Sequence, residues 1–137
     1  VLEANGAEHA MVVYGHDGLD ELTTTTTSTA LELAEGAVRT YVVDPADLGI
    51  AGAEKDSLRG GDAATNADLA RRVLEGQRGA HRDVVALNAA AGIVVAGLAR
   101  DLVDGLALAY ETIDAGRALA VLERAIEVSR EAARDRS

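Results

Sequence analysis

The pattern of hydrophobic and polar positions divides the chain into a strand-like first third and a helical remainder. Residues 9–14 form an apolar run rich in valine, which is typical of a buried strand. The β-branched residues at 23–33 favour an extended segment, and residues 38–43 predict a further strand. Glu35-Gly36 separates these two segments, so we expect a hairpin. Asp44-Pro45 ends it, because proline cannot donate to a β-ladder.

From residue 62 onward the hydrophobic positions recur with the helical period of about 3.6 residues. Together with capping and breaking residues, this period predicts four helices. They run from the capping residue Asp62 to Gly76, over about residues 82–96, from Asp101 to Gly116, and from residue 117 to about 134. The second helix is apolar nearly all round, and we expect it to be buried on most sides.

The order of a strand, a hairpin and about four helices predicts an α/β fold. Three strands cannot cover four helices in a self-contained doubly wound sheet. We therefore expect residues 1–137 to be one portion of a larger α/β domain, with the remaining elements upstream.

The composition excludes several classes of partner. The chain has 137 residues, 48% of them hydrophobic, which suffices for a core and argues against disorder. Aromatic residues make up only 2%, so the core must consist of Leu, Val, Ile and Ala. A net charge of −10 argues against binding to nucleic acid or to an anionic membrane surface. The absence of cysteine excludes disulfides and thiolate zinc sites.

The longest apolar stretch, residues 84–99, is close to the minimum length of a membrane span. Asn88, Gly92 and Gly97 interrupt it. We therefore interpret it as a buried helix and expect a cytoplasmic protein without a membrane partner.

A glycine-containing loop follows the first predicted strand and carries the adjacent carboxylates Asp20 and Glu21. The junction of a strand and a loop is where α/β folds usually place ligands, and we expect a parallel-type sheet beside it. Carboxylate oxygens are ligands that Mg²⁺ prefers, often together with a phosphate. Two neighbouring carboxylates also repel each other unless a cation offsets the charge. The sequence thus predicts a metal site at Asp20 and Glu21; the alternative is an exposed acidic loop without a ligand.

The remaining polar candidates favour structural roles. Asp17 is expected to support the acidic loop or to lie behind the metal ligands, and His16 to be a solvated loop residue. Gly60-Gly61-Asp62 is typical of a helix cap rather than a phosphate cradle. Asn66 and Asn88 are expected to bond to backbone groups between elements. The threonines at 23–27 lack a paired base and indicate a strand with loop-stabilising hydroxyls.

The order and spacing of many short segments resemble the C-terminal part of the anthranilate phosphoribosyltransferase family. These segments are Val12-Val13-Tyr14-Gly15, Asp17-Gly18-Leu19-Asp20-Glu21, Asp44-Pro45 with Leu48-Gly49, Gly60-Gly61-Asp62, Asn66-Ala67, Leu74 with Gly76, Arg82-Asp83-Val84, Leu87-Asn88-Ala89-Ala90, and Ile113-Asp114 with Gly116 and Ala118. The threonine run is similar to the form found in high-GC Gram-positive bacteria. The resemblance covers about 120 residues, nearly the whole chain but only the last two-fifths or so of a family member.

The resemblance implies the second-step enzyme of tryptophan biosynthesis from chorismate, often a homodimer. Its substrates would be phosphoribosyl pyrophosphate (PRPP) and anthranilate, with Asp20 and Glu21 holding Mg²⁺ near the pyrophosphate group. The family's N-terminal helical domain and glycine-rich phosphate loop have no counterpart in residues 1–137. We therefore assign no catalytic or cofactor-binding residue to this chain and expect it to be inactive alone.

The chain departs from the family at Tyr14, where histidine is common, so we expect Tyr14 to pack with its hydroxyl in solvent. Two alternative functions remain open at this point. One is a non-catalytic structural fragment that associates with itself or with a missing N-terminal half. The other is a nucleoside phosphorylase of the same fold superfamily.

Overall fold

The computed structural model describes residues 1–134, in which a three-stranded sheet is followed by four α-helices. The strands are β1 (Ala10–Gly15), β2 (Ser28–Ala34) and β3 (Ala37–Val43). The helices are α1 (Ala63–Leu74), α2 (Ala80–Val95), α3 (Leu102–Asp114) and α4 (Arg117–Arg134). The predicted α/β class, the hairpin and the four helices are confirmed.

The sheet is an antiparallel meander in the order β1-β2-β3. Glu35 and Gly36 join β2 to β3 with φ angles of 52° and 72°, as the tight hairpin turn of type I′ requires. The expectation of a parallel-type sheet beside the acidic loop is wrong within residues 1–134. The segment between β1 and β2, residues 16–27, contains no crossover helix, which a parallel pair would need.

Residues 23–27, the threonine run, are not part of a strand. This corrects the prediction that the whole of residues 23–33 is extended. β2 begins only at Ser28, and the preceding threonines are irregular. The hydroxyls of Thr23, Thr25 and Thr27 bond to nearby side chains, and such local bonds compete with a β-ladder. The Thr23 backbone N–H also donates outside the sheet, to Ser28 Oγ at 3.0 Å.

The core lies between one face of the sheet and α2, with α3 packed against α2. It consists of aliphatic residues, as the composition predicted; its most buried members are Leu22, Ala30, Ala86, Leu87 and Ala90. The expectation that α2 is buried on most sides is only partly correct. Val85 is 42% exposed, and Ala89 and Gly92 are also exposed, because the sheet and α3 cover only part of the helix surface.

The second and third helices approach each other closely at Gly105. A Cβ atom at this position would lie 2.8 Å from the carbonyl oxygen of Ala90. Only glycine permits this approach, so Gly105 determines how tightly α3 packs on α2.

Candidate functional site

Asp20 and Glu21 lie in the loop between β1 and β2, and both are exposed to solvent. Within residues 1–134 neither side chain forms a hydrogen bond or an ion pair. Four carboxylate oxygens are therefore free to bind a ligand.

A compact turn precedes the acidic pair. The Gly15 N–H donates to the Leu19 carbonyl at 2.8 Å, and the Gly18 N–H donates to the Gly15 carbonyl at 3.1 Å. A Cβ atom on Gly15 would lie 2.6 Å from Asp17 Oδ1 and 2.9 Å from Thr23 Cγ2. Gly15 is therefore required here so that the Asp17 side chain can fold back over the turn.

The Asp17 carboxylate connects the two arms of this loop. Asp17 Oδ1 accepts the Leu19 N–H at 3.1 Å, while Asp17 Oδ2 accepts the hydroxyls of Thr23, at 2.8 Å, and Thr25. Burial favours the neutral acid, but the bonds from Thr25, Thr23 and Leu19 outweigh it and lower the pKa of Asp17. Of the two roles expected for Asp17, the structure thus shows the support of the loop.

On the other side of the acidic pair, Leu22 is fully buried and its backbone is bound by Asn88 of α2. The Leu22 N–H donates to Asn88 Oδ1 at 2.9 Å, and Asn88 Nδ2 donates to the Leu22 carbonyl at 2.8 Å. The expectation that Asn88 bonds to backbone between elements is confirmed. The sequence did not predict that the partner would be Leu22, next to Glu21, because Leu22 and Asn88 are 66 positions apart.

The other candidates have structural partners. His16 is exposed and hydrogen-bonded to the hydroxyls of Thr27 and Thr29, each at 2.8 Å. The Asp62 carboxylate caps α1 by accepting the Thr65 N–H at 2.8 Å. Asn66 bonds to the Gly61 backbone through both its amide oxygen and its amide nitrogen. The Gly60-Gly61-Asp62 segment is thus a helix cap, as predicted.

Tyr14 is 48% exposed on the face of the sheet that points away from the helices, the outer face. Lys55 was not singled out from the sequence. Its ammonium group donates to the Asp17 carbonyl at 3.0 Å and gives the turn a further contact.

The donor set suits Mg²⁺ better than a transition metal. Among residues 1–134 no group of three or more His, Cys, Asp or Glu side chains is placed to hold a metal ion. Asp20 and Glu21 can supply two carboxylates at most. Mg²⁺ is commonly bound by one or two carboxylates, with water and substrate phosphates as the remaining ligands. The two residues therefore fit this ion.

The fold and this loop define a class of proteins to which the chain belongs: the glycosyl transferase family, whose α/β domain matches residues 1–119. Its curated relatives include anthranilate phosphoribosyltransferases. The enzyme from Mesorhizobium japonicum is 52% identical over 128 residues, which are 93% of this chain and 38% of that protein. An enzyme of the same name from Rhodopseudomonas palustris is 49% identical over 94% of this chain and 38% of its own length.

Solved structures agree with this assignment. Anthranilate phosphoribosyltransferase from Thermus thermophilus superposes with a TM-score of 0.80 at 40% identity, over 90% of this chain and 36% of that one. The Saccharomyces cerevisiae enzyme in complex with PRPP and Mg shares the fold, with a TM-score of 0.74 at 24% identity.

The resemblance inferred from the residues is confirmed, and these relatives give no support to the phosphorylase or purely structural alternatives. The chain spans about 38% of the length of the curated relatives it matches. In residues 1–134 no helix is both long enough and apolar enough to cross a membrane.

Proposed function

We propose that this chain is the C-terminal portion of an anthranilate phosphoribosyltransferase, acting in tryptophan biosynthesis in the cytoplasm. The enzyme would transfer the phosphoribosyl group of PRPP to the amine of anthranilate. The observation that carries the proposal is the match of 52% identity over 93% of the chain to a protein of that name. The matched residues include the loop in which the carboxylates of Asp20 and Glu21 are unpaired within residues 1–134.

In this reaction the anthranilate nitrogen forms a bond to the ribose C1′ while the bond from C1′ to pyrophosphate breaks. Negative charge grows on the departing pyrophosphate. Asp20 and Glu21 would hold Mg²⁺ beside this group. When bound, the ion stabilises the developing charge electrostatically. The contribution of this chain is to present both carboxylates, without competing partners, from a backbone fixed on both sides.

The relatives contain a further three-fifths or so of polypeptide, and we propose that PRPP and anthranilate are bound mainly by that portion. This chain alone is then inactive. The outer face of its sheet, which includes Val12 (51% exposed) and Val42 (63% exposed), would be covered by the remaining portion or by a second copy of the chain. The complete enzyme would be a homodimer.

The metal role is tested with the double variant Asp20→Asn/Glu21→Gln in the full-length protein. We expect turnover at limiting Mg²⁺ to fall more than about tenfold, because even residues that only support metal ligands contribute roughly 10–100-fold. The measurement is the initial rate of phosphoribosyl-anthranilate formation as a function of Mg²⁺ concentration.

A matched control is Asp47→Asn/Glu54→Gln, which removes the same charges from exposed residues outside the loop. Its Mg²⁺ dependence should equal that of the wild type. An unchanged Mg²⁺ dependence in Asp20→Asn/Glu21→Gln would refute the metal role. Absence of phosphoribosyl-anthranilate formation by the wild-type full-length protein would refute the proposed reaction.

A further inference from the structure

The exposed pair Asp20 and Glu21 lies between two residues whose backbone groups are hydrogen-bonded, Leu19 and Leu22. On the N-terminal side, Leu19 is bonded through its carbonyl to Gly15 and through its N–H to Asp17. On the C-terminal side, Leu22 is fully buried and bonded to Asn88. Because the two acidic side chains have no partners of their own within residues 1–134, these neighbouring contacts are what restrain the backbone that carries them.

The Asn88 amide fixes the C-terminal side through three hydrogen bonds. It accepts from the Leu22 N–H at 2.9 Å and donates to the Leu22 carbonyl at 2.8 Å. Its nitrogen also donates to the Val84 carbonyl at 2.9 Å, one turn earlier in α2, which sets the orientation of the amide on the helix. The residue that follows Glu21 is thus bonded to α2 through both of its backbone polar groups.

The Asp17 carboxylate fixes the N-terminal side and joins it to the threonine run. One carboxylate oxygen accepts the Leu19 N–H, and the other accepts the hydroxyls of Thr23 and Thr25, which lie beyond the acidic pair. Asp17 and Asn88 therefore act on opposite flanks of the same two residues.

We propose that Asn88 and Asp17 are positioning residues for a divalent cation: they hold the backbone on either side of Asp20 and Glu21 so that both carboxylates meet one ion. This inference rests on the proposed function. Two adjacent carboxylates repel each other when no cation is bound. Hydrogen bonds on both sides of the pair would keep the two carboxylates close together despite this repulsion, so that the ion finds its ligands already in place. Partners that orient metal ligands typically contribute about 10–100-fold to metal affinity.

The test uses four single variants of the full-length protein. Asn88→Ala removes the bonds to Leu22, and Thr25→Val removes a hydroxyl from Asp17. Thr25→Ser retains that hydroxyl and serves as the conservative rescue. Thr26→Val is the matched control, because Thr26 is exposed and forms no hydrogen bond within residues 1–134.

We expect the Mg²⁺ concentration for half-maximal rate to rise on the order of tenfold in Asn88→Ala and by several-fold in Thr25→Val. The rate at saturating Mg²⁺ should change much less. Thr25→Ser and Thr26→Val should match the wild type. If a residue contributed only to the stability of the fold, its replacement would lower the amount of folded protein. The Mg²⁺ concentration at which the folded protein reaches half-maximal rate would stay unchanged.

A second readout is direct binding of Mn²⁺, followed by the loss of the free-ion signal in electron paramagnetic resonance. Asn88→Ala and Thr25→Val should bind Mn²⁺ more weakly than Thr26→Val. Unchanged Mg²⁺ and Mn²⁺ dependence in folded Thr25→Val would overturn the proposal, even if Asn88→Ala fails to fold.

The variant Asp20→Asn/Glu21→Gln distinguishes failure of the metal site from failure of the positioning role. If that variant shifts the metal dependence and the positioning variants do not, only the positioning role fails. If that variant shifts nothing, the metal site fails and the positioning role fails with it.

Discussion

At the scale of single residues, three acids lie within five positions of one another, and the structure gives them different roles. Asp20 and Glu21 are exposed and free of partners within residues 1–134. Asp17 accepts hydrogen bonds from two threonine hydroxyls and a backbone N–H. The carboxylate that organises the loop is therefore distinct from the two that are available to a ligand.

The lowered pKa of Asp17 predicts a specific pH dependence of stability. The folded protein binds the proton of this group less readily than the unfolded chain does. Its stabilisation is therefore fully present above the unfolded pKa of about 3.9 and is lost as pH falls through the lower folded value. Asp17→Asn should reduce the stability at pH 7 and flatten the loss of stability below about pH 4.

Urea unfolding of the full-length protein at pH 7 and at acid pH measures this effect. Asp47→Asn, at an exposed carboxylate without a hydrogen bond to its side chain in residues 1–134, is the control and should follow the wild type. An Asp17→Asn variant with wild-type stability at both pH values would contradict the assigned role.

At the scale of elements, the residue pattern located the three strands and the four α-helices of residues 1–134, since apolar runs, β-branched residues and the helical period of about 3.6 residues are local properties. It failed at the threonine run, where β-branched residues indicated a strand. The hydroxyls of Thr23 and Thr25 instead bond to Asp17 and to each other. It also could not identify Gly105, because the close approach to Ala90 depends on how α3 crosses α2.

Gly105→Ala should destabilise the protein by about 1–3 kcal/mol, the usual cost of inserting a methyl group where there is no space for it. Gly92→Ala is the matched control on α2. A Cβ atom there would meet nothing within 4 Å, so this change should be neutral or stabilising by up to about 1 kcal/mol. Denaturant unfolding measures both values, and equal stability of the two variants would refute the close approach.

At the scale of the whole molecule, the sheet has two unlike faces. Met11, Val13, Ala30, Tyr41 and Val43 face the helices. The opposite face, the outer face, exposes Val12, Tyr14, Leu31, Val38 and Val42; the register pairs Val12 with Leu31 and places Thr29 between Tyr14 and Val42. β1 and β3 are also edge strands within residues 1–134. A face with this many exposed apolar side chains usually marks a contact surface.

We predict that the isolated chain associates through this outer face. Light scattering should show dimers or larger species, and Val12→Thr/Val42→Thr should shift them toward monomer. Val121→Thr changes a valine on α4 that is 70% exposed, more than either sheet valine, and should have no effect. A monodisperse wild-type monomer would contradict the prediction.

The sequence by itself determined the order of the strands and α-helices, the helix cap at Asp62, the family, and the acidic pair as the candidate metal ligands. These follow from local periodicity, capping chemistry and motif spacing. Only the tertiary structure decided that Asn88 binds the backbone next to Glu21, that Asp17 joins both arms of the loop, and that one sheet face is left apolar and exposed. Such features depend on contacts between residues far apart in the chain, such as the 66 positions between Leu22 and Asn88, and no local pattern encodes them.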